Sequence, residues 1–123
     1  MTIMQAISQT DELCRNGYSQ RQKVIWLSRL ESMVKKVVVD AYEGGDQIPF
    51  EGFCDDTSLD TVLIMPEPFD AGYLYWLEAQ IHYANDEIDD YNRAMMMFTA
   101  VFDKYKSYYQ QNHTPIRQGR FRF

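Results

Sequence analysis

The sequence predicts a mainly α fold: a four-helix bundle-like domain with a small β-hairpin between the second and third helices and an extended C-terminal tail. Three observations lead there. Apolar residues recur at intervals of three and four over most of the chain, the mark of helices that bury one face. That period fails between Asp46 and Pro66, where Pro49, Gly52 and the run Thr61-Val-Leu-Ile-Met65 suit short strands. Thr114-Pro115 then stops the last helix, because the residue before a proline is pushed out of the α region. The chain thus divides into one helical domain, residues 1–114, and a basic-aromatic tail, residues 115–123, predicted to be flexible.

In chain order, Ile3, Ala6, Ile7 and Leu13 define a first helix from Thr2 to about Asn16, where Asn16-Gly17 tolerates the left-handed conformation of a helix end. Ser19 opens the second with a Ser-Gln-Arg-Gln capping box, in which Ser19 accepts from the Gln22 backbone and the Gln22 side chain reaches back. Its stripe runs through Val24, Trp26, Leu30, Met33, Val34, Val37, Val38 and Ala41, while Arg29, Glu31, Lys35, Lys36 and Asp40 fall mostly elsewhere. The valines at 37–39 are poor helix formers, but the period before them and Gly44-Gly45 after them outweigh that propensity.

In the predicted hairpin, Ile48, Phe50 and Phe53 belong to one strand and Thr61 to Met65 to the other, with CDDTSLD as the connection. Pro49 confines its strand to an edge or an end. Two strands alone are not stable, so they must pack on the helices or pair with another subunit.

Helix returns after Pro68, with Asp70 placed to complement the positive end of the dipole and Tyr73, Leu74, Trp76, Leu77, Ile81 and Ala84 as the core stripe. Positions 74, 77, 81, 84, 88, 91, 95, 98, 102, 105 and 109 then alternate three and four without interruption, a heptad-like seam. One helix of about 40 residues would run about 60 Å. A domain of this length has a radius of gyration of only about 14 Å, which favours a break or sharp kink at Asn85-Asp86.

With 123 residues and 46% apolar composition, the chain can bury one modest core. Charge is uneven: residues 1–116 carry 9 basic and 18 acidic groups, a balance of minus 9, against plus 3 from Arg117, Arg120 and Arg122. An acidic body repels phosphate backbones, so sequence-independent nucleic-acid binding through the main surface is not expected, and no sequence-specific nucleic-acid binding is expected either. The apolar runs fall far short of the roughly 20 residues that cross a bilayer, so no membrane association is expected. No secretory leader is visible, and Cys14 and Cys54 are expected to be free thiols in a reduced compartment.

The candidate chemical constellations all have plainer readings. DEIDD, residues 86–90, lacks the calcium-loop pattern and reads as a solvated helix start. Glu78 and His82 are four apart, where a dinuclear carboxylate site needs three, so His82 reads as an ordinary helix histidine and His113 as a cap of the last helix. No serine elbow, Cys-His motif or phosphate-cradling glycine loop appears. No catalytic, metal or cofactor residue is therefore expected, and the chain is not read as an enzyme. In RAMMMFTAVF, residues 93–102, Met95, Phe98 and Phe102 face the seam, while Met96 and Met97 sit to its sides. Phe50, Phe53, Met96 and Met97 are the candidate subunit contacts.

Taken in order, GYSQRQKVIWLSRLE, VVVDAYEGG, LDTVLIMPEPFDAGYLYWLEAQIHYANDEIDDYN and FTAVFDKYKSYYQQNHTP resemble phage head-tail connector, or adaptor, proteins. The similarity spans roughly residues 10–115 and is strongest from Pro68 through the aromatic helix that follows. Many such proteins carry a glycine in the Ala-Asn-x-Glu turn, where this chain has Asp86. The resemblance implies a non-enzymatic virion protein, assembled in the bacterial host cytoplasm and placed at the head-tail junction. It implies a ring on the portal protein that joins head to tail, contacts to other tail proteins, a subunit that can stay monomeric when free, and a C-terminal segment that grips the portal. The acidic body suits a channel through which DNA passes without adhering. In the tail, Arg117, Arg120, Phe121, Arg122 and Phe123 are residue types that anchor protein interfaces, and each phenylalanine gains about 1.5–3 kcal/mol on burial. The alternative is a small acidic helical regulator that binds a host or phage protein, for instance as a DNA mimic.

Overall fold

Thr2 caps the first helix of the computed structural model, which describes residues 1–116. Its hydroxyl accepts from Gln5 N at 3.1 Å and Gln5 Oε1 accepts from Thr2 N at 2.9 Å, so two first-turn donors are satisfied reciprocally. Helix α1 (Ile3–Leu13) buries Ile3, Ala6, Ile7 and Thr10 and stops at Cys14. Asn16 closes the connection from outside the helix by donating to Asp11 and to the Cys14 carbonyl.

Ser19 caps α2 (Gln20–Met33) by accepting from Gln22 N at 3.1 Å. The helix then changes winding rather than continuing to Tyr42: Val34–Val38 is π-helical and Val39–Ala41 is 3₁₀. The change falls on the valine run, whose crowded χ1 angles disfavour a regular α turn. It buries Val34, Val38 and Val39 together and leaves Val37 outside. Gly44 turns the chain at φ 86, and a short 3₁₀ turn, Gly45–Gln47, folds back on the valines.

The hairpin expected between the second and third helices is not formed. Among the described residues there are no strands, only isolated antiparallel bridges between Thr2 and Val62 and between Tyr42 and Pro115. A turn at residues 59–60 and a bend at 64–65 flank the Val62 bridge, with Leu63 and Met65 inward and Val62 outward, and the segment's bonds run to the N-terminal end of α1 and to core side chains. Leu59 and Thr61 carbonyls accept from Met4 N and Ile3 N at 3.0 Å, satisfying α1 donors that have no partner within the helix. Ile64 N donates to the buried Glu31 carboxylate at 2.7 Å and Met65 N to the Tyr73 hydroxyl at 2.8 Å. A segment already bonded to helix ends and core side chains has no ladder left to offer a second strand.

Helix α3 (Ala71–Ala84) lies at the centre, packed against α1, α2 and α4. Gly72 permits a close approach on α3: a Cβ there would stand 3.2 Å from Met65 Cε and 3.4 Å from Val101 Cγ1. The long seam is broken as the sequence predicts. Asn85 caps α3, Asp86 adopts φ 61, and α4 (Ile88–Asn112) returns antiparallel. Aspartate is among the few side chains that tolerate this left-handed position, so the turn forms without a glycine. Tyr83 meets Tyr91 at 5.3 Å, Trp76 meets Phe98 at 5.3 Å and Phe69 meets Tyr105 at 5.5 Å down the pair. Phe98, Phe102, Tyr105 and Tyr109 carry the α4 half of the core.

Candidate functional site

The sequence places its main candidate site on the tail, and the described residues end at Ile116, just before its arginines and phenylalanines. Helix α4 stops at Asn112, and His113 stacks on Tyr109 with ring centroids 3.7 Å apart while its Nδ1 lies 3.0 Å from the Tyr109 carbonyl oxygen. The chain then turns extended, as Pro115 requires of its predecessor. Glu43 N donates to the Thr114 carbonyl at 2.7 Å and Ile116 N to the Ala41 carbonyl at 3.1 Å. Residues 114–116 are therefore stitched to residues 41–43, just beyond the unwound end of α2. Tyr42 completes the clasp, its ring 5.3 Å from Tyr109 and 6.4 Å from His113.

The exit is acidic. A hollow of about 380 Å³ beside Ile116 is lined by Asp40, Glu43 and Asp46, with Tyr42, Gly44 and Gly45. On the other side of Tyr42, Val37, Val38, Asp103, Lys106, Ser107 and Gln110 line a second hollow of about 370 Å³. Lys35 pairs with Asp40 and donates to the Gly45 carbonyl at 2.6 Å, which holds the turn under the exit. Arg117, Arg120, Phe121, Arg122 and Phe123 themselves lie outside the described residues.

The candidate subunit contacts fall on two elements. Phe50 and Phe53 meet edge to face at 5.0 Å, and Phe53 packs partly against the core, its amide donating to Ser28 Oγ at 3.0 Å. Phe53 also lines a groove of about 400 Å³ between α2 and residues 53–59, floored by Val24, Ile25 and Leu59 and rimmed by the Arg21–Asp55 ion pair. Met96 and Met97 project from the outer side of α4, 71% and 45% exposed, while Met95 turns toward the core.

Sequence reasoning missed two polar assemblies, because their members are far apart along the chain. Glu31, placed off the apolar stripe, is 1% exposed and accepts from the Tyr73 hydroxyl at 2.5 Å as well as from Ile64 N. Burial pushes its carboxyl up to about 7, against the opposing pull of the two donors. The same burial, with the Glu31 charge, pushes the Tyr73 phenol well above its ordinary range.

The second assembly aligns Cys14, His82 and Glu87. Cys14 Sγ lies 4.0 Å from His82 Nε2, and His82 Nδ1 lies 2.9 Å from Glu87 Oε1. A thiol, an imidazole and a carboxylate in that order are the parts of a thiol nucleophile. Here, however, burial pushes the Cys14 thiol up, and Glu78, Glu87, Asp11 and Asp90 push it the same way, so the thiol is held protonated. No local motif signals the group: Cys14 ends α1 and His82 lies in the last turn of α3, 68 residues later.

Comparison with models of protein families finds no match, and searches of curated proteins and of solved structures likewise return no significant match.

Proposed function

We propose that the chain is a head-tail connector subunit of a phage virion, a non-enzymatic protein that rings the portal and joins head to tail. The observation that carries this reading is the clasp of residues 114–116 on residues 41–43. It fixes residues 114–116, the stretch immediately before a segment of three arginines and two phenylalanines, and a fixed attachment point suits a docking peptide that must find one site on a partner. Such pre-positioning lowers the ordering cost of binding. The ring needs lateral contacts, and the half-buried Phe50–Phe53 pair in the connection before α3 and the exposed Met96 and Met97 on α4 supply apolar area for them. The minus 9 charge of residues 1–116 also supports a second reading, a small acidic regulator that forms a one-to-one complex with a host or phage protein.

Negative-stain microscopy of the purified chain mixed with portal rings separates the two. The connector reading expects added density in a closed ring on one face of the portal. Bare portals at protein concentrations of tens of micromolar, with a discrete one-to-one complex formed elsewhere, would favour the regulator.

A further inference from the structure

The corner between α3 and α4 gathers more ligating side chains than its fold requires. His82 comes from the last turn of α3, Glu87 from the linker and Asp90 from the first turn of α4. One ring nitrogen of His82, one Glu87 oxygen and one Asp90 oxygen all lie within 4.8 Å of one another, and His82 Nδ1 lies 2.9 Å from Glu87 Oε1. Ligand atoms about 2.0–2.2 Å from a shared ion stand roughly 3–4 Å apart, so a small rotation of the two carboxylates closes such a set.

We propose that His82 Nδ1, Glu87 and Asp90 bind a divalent transition-metal ion of the zinc class, one per chain. The donor types choose the class. A neutral imidazole with two carboxylates suits zinc, cobalt, nickel or manganese, whereas magnesium and calcium favour all-oxygen shells. The ring is well placed to serve as a ligand: its side chain is 16% exposed, and Glu78 Oε1 at 3.6 Å and Cys14 Sγ at 4.0 Å face its other nitrogen. Partners on that second nitrogen fix ring orientation and raise ligand basicity. Arg93 donates to Oδ1 of Asp90 at 2.9 Å, and the carboxylate has a second oxygen to offer an ion. Asn85 Nδ2 donates to Glu87 Oε1 at 3.2 Å, which holds that carboxylate over the ring.

Glu78 Oε1 stands 3.6 Å from His82 Nε2, so a third carboxylate, from α3, adds its negative charge to the corner already holding Glu87 and Asp90. A divalent ion relieves that repulsion and ties the last turn of α3 to the first turn of α4. The proposal does not depend on the connector reading.

The test is titration calorimetry of the full chain with zinc chloride, carried out in the Cys14→Ser, Cys54→Ser double variant so that thiols cannot account for uptake. One zinc per chain with micromolar affinity is expected, together with a rise of several degrees in the thermal midpoint at saturating zinc. Magnesium at the same concentration should give neither. His82→Gln and Asp90→Asn should each weaken zinc at least tenfold while keeping the helical circular dichroism of the parent. Asp90 is partly exposed, so its variant keeps the test decisive even if the histidine variant folds poorly. Affinity weaker than millimolar in the parent, or equal affinity in Asp90→Asn, would overturn the proposal.

Discussion

Glu31 shows how one residue can be misplaced by period and yet be central to the fold. By helical spacing it belongs with the polar side of α2, but its carboxylate receives Ile64 N and the Tyr73 hydroxyl, 33 and 42 residues away. Those two donors come from segments with nothing in their local sequence to announce them, so only the folded chain reveals the network. Its energetics can be read through pH. The carboxyl titrates at about 7 in the fold against an ordinary value of 4.5, so folding favours the protonated form. The stability it contributes is fully present below pH 4.5 and is lost as pH rises through 7, a change of about 3 kcal/mol. Urea midpoints taken from pH 5 to pH 8 should therefore fall with rising pH, and Glu31→Gln should flatten that slope. A wild-type slope that survives in the variant would assign it to other groups. Glu31→Ala is harsher, because it strands the Ile64 amide and the Tyr73 hydroxyl in the core at a cost of about 3 kcal/mol.

At the scale of elements, the four helices were legible because each keeps a 3.6-residue period over two turns or more, and the break near Asn85-Asp86 was legible because a single rod would not fit the size of the domain. The hairpin was not. An extended, β-branched run looks the same whether its partner is a strand or the first turn of a helix, and residues 59–63 chose α1. The end of α2 was half legible: the valines and the double glycine marked a change, but not that the helix would widen and then tighten before turning. That compact turn is vulnerable at Gly45, where an added Cβ would lie 2.5 Å from the Val39 carbonyl oxygen and 3.2 Å from Asp40 Cα. Both neighbours are backbone and cannot rotate aside. Gly45→Ala should cost about 1–3 kcal/mol, seen as a lower thermal midpoint. Gly44→Ala meets no neighbouring atom within 4 Å but must adopt φ 86, so its cost is one of backbone strain. Tolerance of alanine at Gly45 would mean that the turn is looser than its contacts imply.

For the whole molecule, the question is what the last seven residues are for. The described core runs from Ile3 to Tyr109, and the clasp at 114–116 is made by backbone atoms that precede the last seven residues. Deleting residues 117–123 removes three arginines and two phenylalanines. The helical circular dichroism should be unchanged and the unfolding free energy should move by no more than about 0.5 kcal/mol. Under the proposed connector role, attachment to the portal should fall at least tenfold, because arginine and aromatic anchors carry a disproportionate share of interface energy. Phe121→Ala and Phe123→Ala divide that loss, each weakening attachment by about 1.5–3 kcal/mol if its ring is buried on docking. Replacing the three arginines with lysine separates geometry from charge. A planar guanidinium that makes paired hydrogen bonds is not replaced by an ammonium, so attachment should weaken even though the charge is kept. Equal attachment by the truncated and full chains would remove the tail from the interface and leave the Phe50–Phe53 pair and the exposed Met96 and Met97 as the surfaces to test next.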